Sequence, residues 1–170
     1  MYIEKLKEWL AGQAPGAQAA AGSSPRAARN PALDKVFGAL IMMVDDEPLT
    51  LEVTQIQLEE AGFSRFISTS NAIDALAMIT ERRPDILLLD LMMPGMSGFD
   101  ILARMEASKI LKEVPTIVVT SATDGATRLK ALELGVSEFL IKPVDPIELA
   151  LRVSNTLAAK AYWQGCWAAQ

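Results

Sequence analysis

Histidine is missing from all 170 residues. That gap removes imidazole-ligated zinc or iron, Ser/His and Cys/His nucleophile pairs, and any phosphohistidine carried by this chain itself. Cysteine occurs once, at Cys166, so no internal disulfide can form and a reducing compartment suits the chain. No apolar run approaches the ~20 residues that a membrane-spanning helix needs. Glu4, Lys5, Lys7 and Glu8 stand where a signal peptide would be apolar. The expectation is a cytoplasmic protein with no membrane partner. No block of Lys and Arg stands out and the net charge is -5, so nucleic acid is not expected to bind through this chain. Aromatic residues make up 6% of the sequence, and all three tryptophans (Trp9, Trp163, Trp167) and both tyrosines (Tyr2, Tyr162) lie near one end or the other. Whatever chemistry is present must run on carboxylates, hydroxyls and lysine.

What the chain does contain is 51% hydrophobic residues, enough for the core of one domain. Residues 1–12, MYIEKLKEWLAG, place Ile3, Leu6 and Leu10 at helical spacing with Trp9 beside them, which predicts a short amphipathic helix. Residues 13–37 read as a linker rich in Ala, Gly, Ser and Pro. From 38 to 158 short apolar runs alternate with helical patterns. Strands are predicted at 39–44, 65–69, 85–90, 116–121 and 138–141. Helices are predicted near 48–61, 71–82, 98–107, 124–134 and from Pro146 to about Lys160, with 159–170 as an extension of the last. Gly62 and Gly135 follow helix ends, and Asp145-Pro146-Ile147-Glu148 has the form of a helix start. Strands that are apolar almost throughout and alternate with helices specify a parallel sheet covered on both faces. The fold class is therefore α/β, a doubly wound five-stranded parallel sheet. The Trp-bearing flanks are expected to pack together, within one chain or across a homodimer.

In such a sheet the ligand site lies beyond the carboxyl ends of the strands. Asp45 and Asp46 follow the first strand, Asp90 the third, Thr120 ends the fourth, and Lys142 follows the fifth. Asp45, Asp46 and Asp90 should form one acidic pocket with Lys142 and Thr120 at its rim. Two carboxylates ~4 Å apart repel by about 4 kcal/mol at an effective dielectric near 20. Three of them with a single lysine remain net negative and invite a divalent cation. Mg2+ fits best, because it prefers oxygen ligands and accepts one or two carboxylates while keeping several waters.

These segments together resemble the receiver domain of bacterial two-component response regulators: VDDEP (44–48), LLLDLMMPGMSGFD (87–100), PTIVVTSA (115–122) and EFLIKP (138–143). The resemblance spans about residues 38–158 and implies the strand order 2-1-3-4-5. It further implies that Asp90 accepts a phosphoryl group from a sensor histidine kinase. Asp46 would bind Mg2+ directly and Asp45 through water, with the Met92 backbone carbonyl as a further ligand. Lys142 would pair with the phosphoryl oxygens, Thr120 would bond one of them, and Pro143 would be held cis.

Phosphorylation is then expected to draw Thr120 toward the new oxygens and let the Phe139 ring move. That would reshape the surface made by the helix at 124–134, the fifth strand and the fifth helix. Met92 and Ala122, two residues past key side chains, are apolar and unable to orient an attacking water, which implies a long-lived phosphoryl group. Two other readings use the same residues: an interaction module that docks without phosphorylation, and a Mg2+-dependent phosphohydrolase with Asp90 as nucleophile. The second needs an acid or base where Met92 stands. Output would pass to a downstream protein or to an effector domain outside this chain.

Overall fold

The computed structural model describes residues 31–110 and 113–168. The expected amphipathic helix at 1–12 and the linker through Asn30 lie outside the described residues. The chain forms α1 (Pro31–Phe37), β1 (Leu40–Val44), α2 (Pro48–Glu60), β2 (Arg65–Thr69), α3 (Ala72–Arg82) and β3 (Ile86–Leu89). It continues through α4 (Gly98–Ala107), β4 (Thr116–Thr120), α5 (Gly125–Glu133), β5 (Glu138–Ile141) and α6 (Pro146–Ala168). All five strands run parallel in the order β2-β1-β3-β4-β5. The expected fold class and the strand order implied by the resemblance are both observed.

β1 and β3 are apolar throughout, and β4 is apolar between its terminal threonines, because each face of the sheet carries its own core. Met42, Val44, Leu87, Leu89 and Val118 face α3, α4 and α5. Their sequence neighbours Ile41, Met43, Ile86, Leu88 and Ile117 face α2 and α6. Side chains alternate across a strand, so a sheet buried on both sides leaves no position for a polar residue until the strand ends. The first polar residues after β1 and β3 are therefore Asp45 and Asp90.

Local signals act as their chemistry predicts. Gly62 and Gly135 have φ of 102° and 86°, the left-handed turn that ends a helix without a Cβ penalty. The Asp145 carboxylate accepts the backbone N–H groups of Ile147 and Glu148, capping α6. One expectation is corrected. The linker does not reach residue 37, because Pro31–Phe37 is helical, with Val36 in the core and Phe37 packed on Phe63 at 5.2 Å between ring centroids. The last helix runs on past Lys160 to Ala168, within the stretch 159–170 expected to extend it.

Candidate functional site

The crossover from β1 leads to β2 and that from β3 leads to β4, in opposite directions, so a crevice opens between the ends of β1 and β3. The register pairs Val44 with Leu89, and the Asp90 N–H donates to the Val44 carbonyl at 2.9 Å. Asp45 and Asp90 are thereby set side by side. Each is fixed by the same local device. The Asp45 Oδ1 accepts the Glu47 N–H at 3.0 Å, and the Asp90 Oδ1 accepts the Met92 N–H at 3.0 Å. An aspartate that bonds the backbone two residues on makes a tight turn without needing glycine. One oxygen of each is spent on the turn and the other is left to face its neighbours.

Those remaining oxygens meet Lys142. Its Nζ donates to Asp45 Oδ2 at 2.5 Å and to Asp90 Oδ2 at 2.9 Å, across from β5. The Lys142–Pro143 peptide is cis, as expected. Asp45 and Asp90 are 6% and 5% exposed, while Asp46 is open to solvent. Carboxylate oxygens of Asp45, Asp46 and Asp90 lie within 4.8 Å of one another. The structure thus brings Asp45, Asp46, Asp90 and Lys142 into one cluster.

Three carboxylates against one ammonium leave the cluster negative, and the strain falls on the buried members. Burial pushes the Asp45 carboxyl above its usual range, even though Lys142 and the Glu47 N–H pull it down. Burial also opposes the charge on Lys142. The hydrogen bonds and charges of Asp45 and Asp90 outweigh that effect and raise its ammonium above the ordinary lysine value. A donor set made wholly of oxygens, negative, with one exposed member, suits a hard divalent cation and gives a soft metal no ligand.

Thr120 ends β4 and is fully buried, with its hydroxyl accepting the Ala122 N–H at 3.4 Å. It sits on the strand next to β3, but its hydroxyl makes no bond to the acidic cluster among the described residues. Met92 is exposed, and its N–H is held by Asp90. Phe139 is half-buried against the core, 6.0 Å from the Arg128 guanidinium above its ring.

Two features of the Asp90 loop escape a reading by strand ends. A Cβ on Gly98 would lie 2.2 Å from the Asp90 carbonyl oxygen and 2.7 Å from the Leu91 Cα, so only glycine lets α4 begin there. Its N–H donates to the Leu91 carbonyl at 3.1 Å, closing the loop. Ser97 and Asp100 form a reciprocal cap at the start of α4. The Ser97 hydroxyl and N–H hold the Asp100 carboxyl below the usual range. The text SGFD carries that cap in plain view; the close approach at Gly98 has no sequence signal beyond the glycine itself.

Fold, crevice and charge cluster define a receiver-type signalling module. Residues 41–154 match the family model described as the response regulator receiver domain. The chain belongs to that family. It is 33% identical over 122 residues to the phosphate regulon transcriptional regulatory protein PhoB of Pseudomonas aeruginosa, covering 72% of this chain and 53% of that one. It is 35% identical over 122 residues to response regulator PleD of Caulobacter vibrioides, covering 70% and 26%. A CheY-like receiver domain protein from Methanospirillum hungatei superposes with a TM-score of 0.68 at 26% identity, covering 74% of this chain and 98% of that one. The chain spans about half or less of the length of these curated relatives. No helix among the described residues is long and apolar enough to cross a membrane.

Proposed function

We propose that this chain is a phosphoacceptor in the cytoplasm, taking a phosphoryl group from a sensor histidine kinase onto Asp90. One observation carries the reading: two buried carboxylates, Asp45 and Asp90, share the single ammonium of Lys142, with the exposed Asp46 alongside.

A carboxylate oxygen of Asp90 forms the new bond to phosphorus as the bond from phosphorus to the donor's leaving group breaks, giving an acyl phosphate. Charge in such a transition state gathers on the equatorial oxygens, so positioning and cationic contact supply most of the catalysis. The Met92 N–H and the Asp90 backbone bond to Val44 hold the nucleophile still. Lys142 already touches Asp90 and can follow charge onto the phosphoryl group without a search. Asp46, Asp45, Asp90 and the Met92 carbonyl would hold Mg2+, which supplies neutralisation of phosphoryl charge when bound. Thr120 would then bond a phosphoryl oxygen.

Output would run through α5, β5 and α6. Leu129, Leu132 and Ile141 are exposed there, and α5 buries only Ala131. An element so lightly anchored can shift at small cost. Its partner would be a separate protein or an effector domain of a longer chain, in line with the greater lengths of PhoB and PleD.

The test is intact mass after incubation with a small phosphodonor and Mg2+, comparing the chain with its Asp90→Asn variant. The expected result is a stable adduct of roughly one phosphoryl mass that the variant lacks. No adduct would favour a constitutive interaction module, and rapid turnover of the donor a phosphohydrolase. A crystal structure with beryllofluoride in which Phe139 has not moved would remove the ring from the output route.

A further inference from the structure

The aromatic end of α6 takes no part in the site. Tyr162 and Trp163 are 63% and 64% exposed, and their rings meet edge to face at 6.3 Å. Beside them, at the amino ends of β4 and β5, lies a cleft of about 470 Å³ lined by Pro115, Ser137, Thr156, Ala159, Lys160 and Trp163. Two adjoining large aromatic rings beside an open cleft form the kind of surface that another element usually covers.

The placement of α1 indicates which element. A smaller cleft shares Lys160 and Gln164 with the first and is lined on its other side by Asp34 and Lys35 of α1. The stretch Asp34–Val36 of α1 is therefore beside residues 160–164 of α6, within one helical turn of where α1 begins. The thirty residues that precede α1 in the sequence enter the described fold at that point. Residues 1–12 carry Ile3, Leu6, Trp9 and Leu10 on a helical spacing, with Glu4, Lys5, Lys7 and Glu8 between them. The rim of the cleft likewise mixes signs, with Glu113, Glu138 and Lys160.

We infer that residues 1–12 of the same chain dock, by their Ile3, Leu6, Trp9 and Leu10 face, on the Tyr162–Trp163 pair and the cleft beside it. The intervening stretch, 13–30, is rich in Ala, Gly, Ser and Pro, and eighteen residues with random-coil dimensions span a root-mean-square distance of about 20–25 Å. That is ample to return to the base of α6. Tethering at this distance gives an effective concentration in the millimolar range, which favours the chain's own segment over that of a second copy.

The lone native cysteine, Cys166, lies one helical turn beyond Trp163 and serves as the reporter. Lys7→Cys and, separately, Glu8→Cys place a thiol at a polar position of the segment in the full chain; Gln18→Cys places one in the linker as control. Under mild oxidation at low micromolar protein, at least one of the two segment variants is expected to form an intrachain disulfide with Cys166 at least tenfold faster than the control. Trp163→Ala, or Leu6→Ser with Leu10→Ser, should return that rate to the control's. Rates equal to the control for both segment thiols would overturn the inference, as would insensitivity to Trp163→Ala. A disulfide-linked dimer as the main product would overturn it in favour of a second copy. Circular dichroism checks that each variant keeps its fold.

Discussion

The two ends of the sheet each hold a half-buried lysine, and the two lysines are treated in opposite ways. At the carboxyl end Lys142 bonds two buried carboxylates, which raise its ammonium above the ordinary value despite burial. At the amino end Lys160 donates to the Asp85 backbone carbonyl at 3.0 Å and stands 3.7 Å from its carboxylate. Burial wins there and lowers it, with Asp85 compensating only in part. One bonded acid, Asp85, fastens this base between α6 and the start of β3, with Glu113 acting only at a distance. Two buried acids on one base, with a third nearby, leave a charge that the fold alone does not cancel. Burial of ions is thus a poor guide to function by itself; the imbalance is what separates the two ends.

The widest separation between the ends should appear when each lysine is made apolar. Lys142→Met strands two buried carboxylates and should lower the unfolding free energy by about 3 kcal/mol, the low end for removing one member of a buried ion pair. The same variant should accept phosphoryl groups far more slowly. Lys160→Met removes one lysine whose burial is already unfavourable, and should fall within about 1 kcal/mol of the parent. Urea unfolding of both variants measures the contrast, and equal losses would erase it.

Next in size is Gly98→Ala. The added methyl cannot coexist with the Asp90 carbonyl at 2.2 Å, so the loop must move. A cost of about 1–3 kcal/mol is expected. Displacement of the nucleophile should slow phosphorylation by roughly tenfold to a hundredfold. Stopped-flow phosphorylation with a small donor, set beside the urea midpoint, checks both. A variant that loses stability but keeps its rate would show that the loop and the nucleophile are uncoupled.

The smallest effect is in the alkaline limb of stability. An unfolded lysine titrates near about 10.4. Lys142, raised in the folded state, contributes stability in full below that pH and loses it as pH climbs through the folded value. Lys160, lowered in the folded state, binds fewer protons folded than unfolded just below about 10.4, so its penalty is relieved as pH rises toward that value. The two slopes have opposite signs. Lys142→Met should flatten the fall above about 10.4, and Lys160→Met should flatten the rise below it. Unfolding free energies of the three proteins across that range are the measurement.

Most of this fold could be read from residue order. The strands at 65–69 and 138–141 and the helix at 98–107 coincide with those observed, and the other elements differ at their ends. The exceptions have physical reasons. Seven residues of α1 are too few to show a period, and they are held by the packing of Val36 and Phe37. The strand order came from the resemblance, because parallel alternation alone permits several. At the site, strand ends exposed Asp45, Asp46, Asp90 and Lys142 as a group. They did not reveal that Asp45 and Asp90 share the ammonium, since that depends on which oxygen each turn leaves unused.

The pairing of Val44 with Leu89 acts as a vernier. A slip of one residue between β1 and β3 would turn one aspartate toward the opposite helix layer, away from its counterpart. The oily residues of these two strands, Met42 and Val44 on one side and Ile86 and Leu88 on the other, therefore calibrate an ionic gap to which their side chains bring no charge. Trimming any one of them would loosen the domain and the alignment of the charges together.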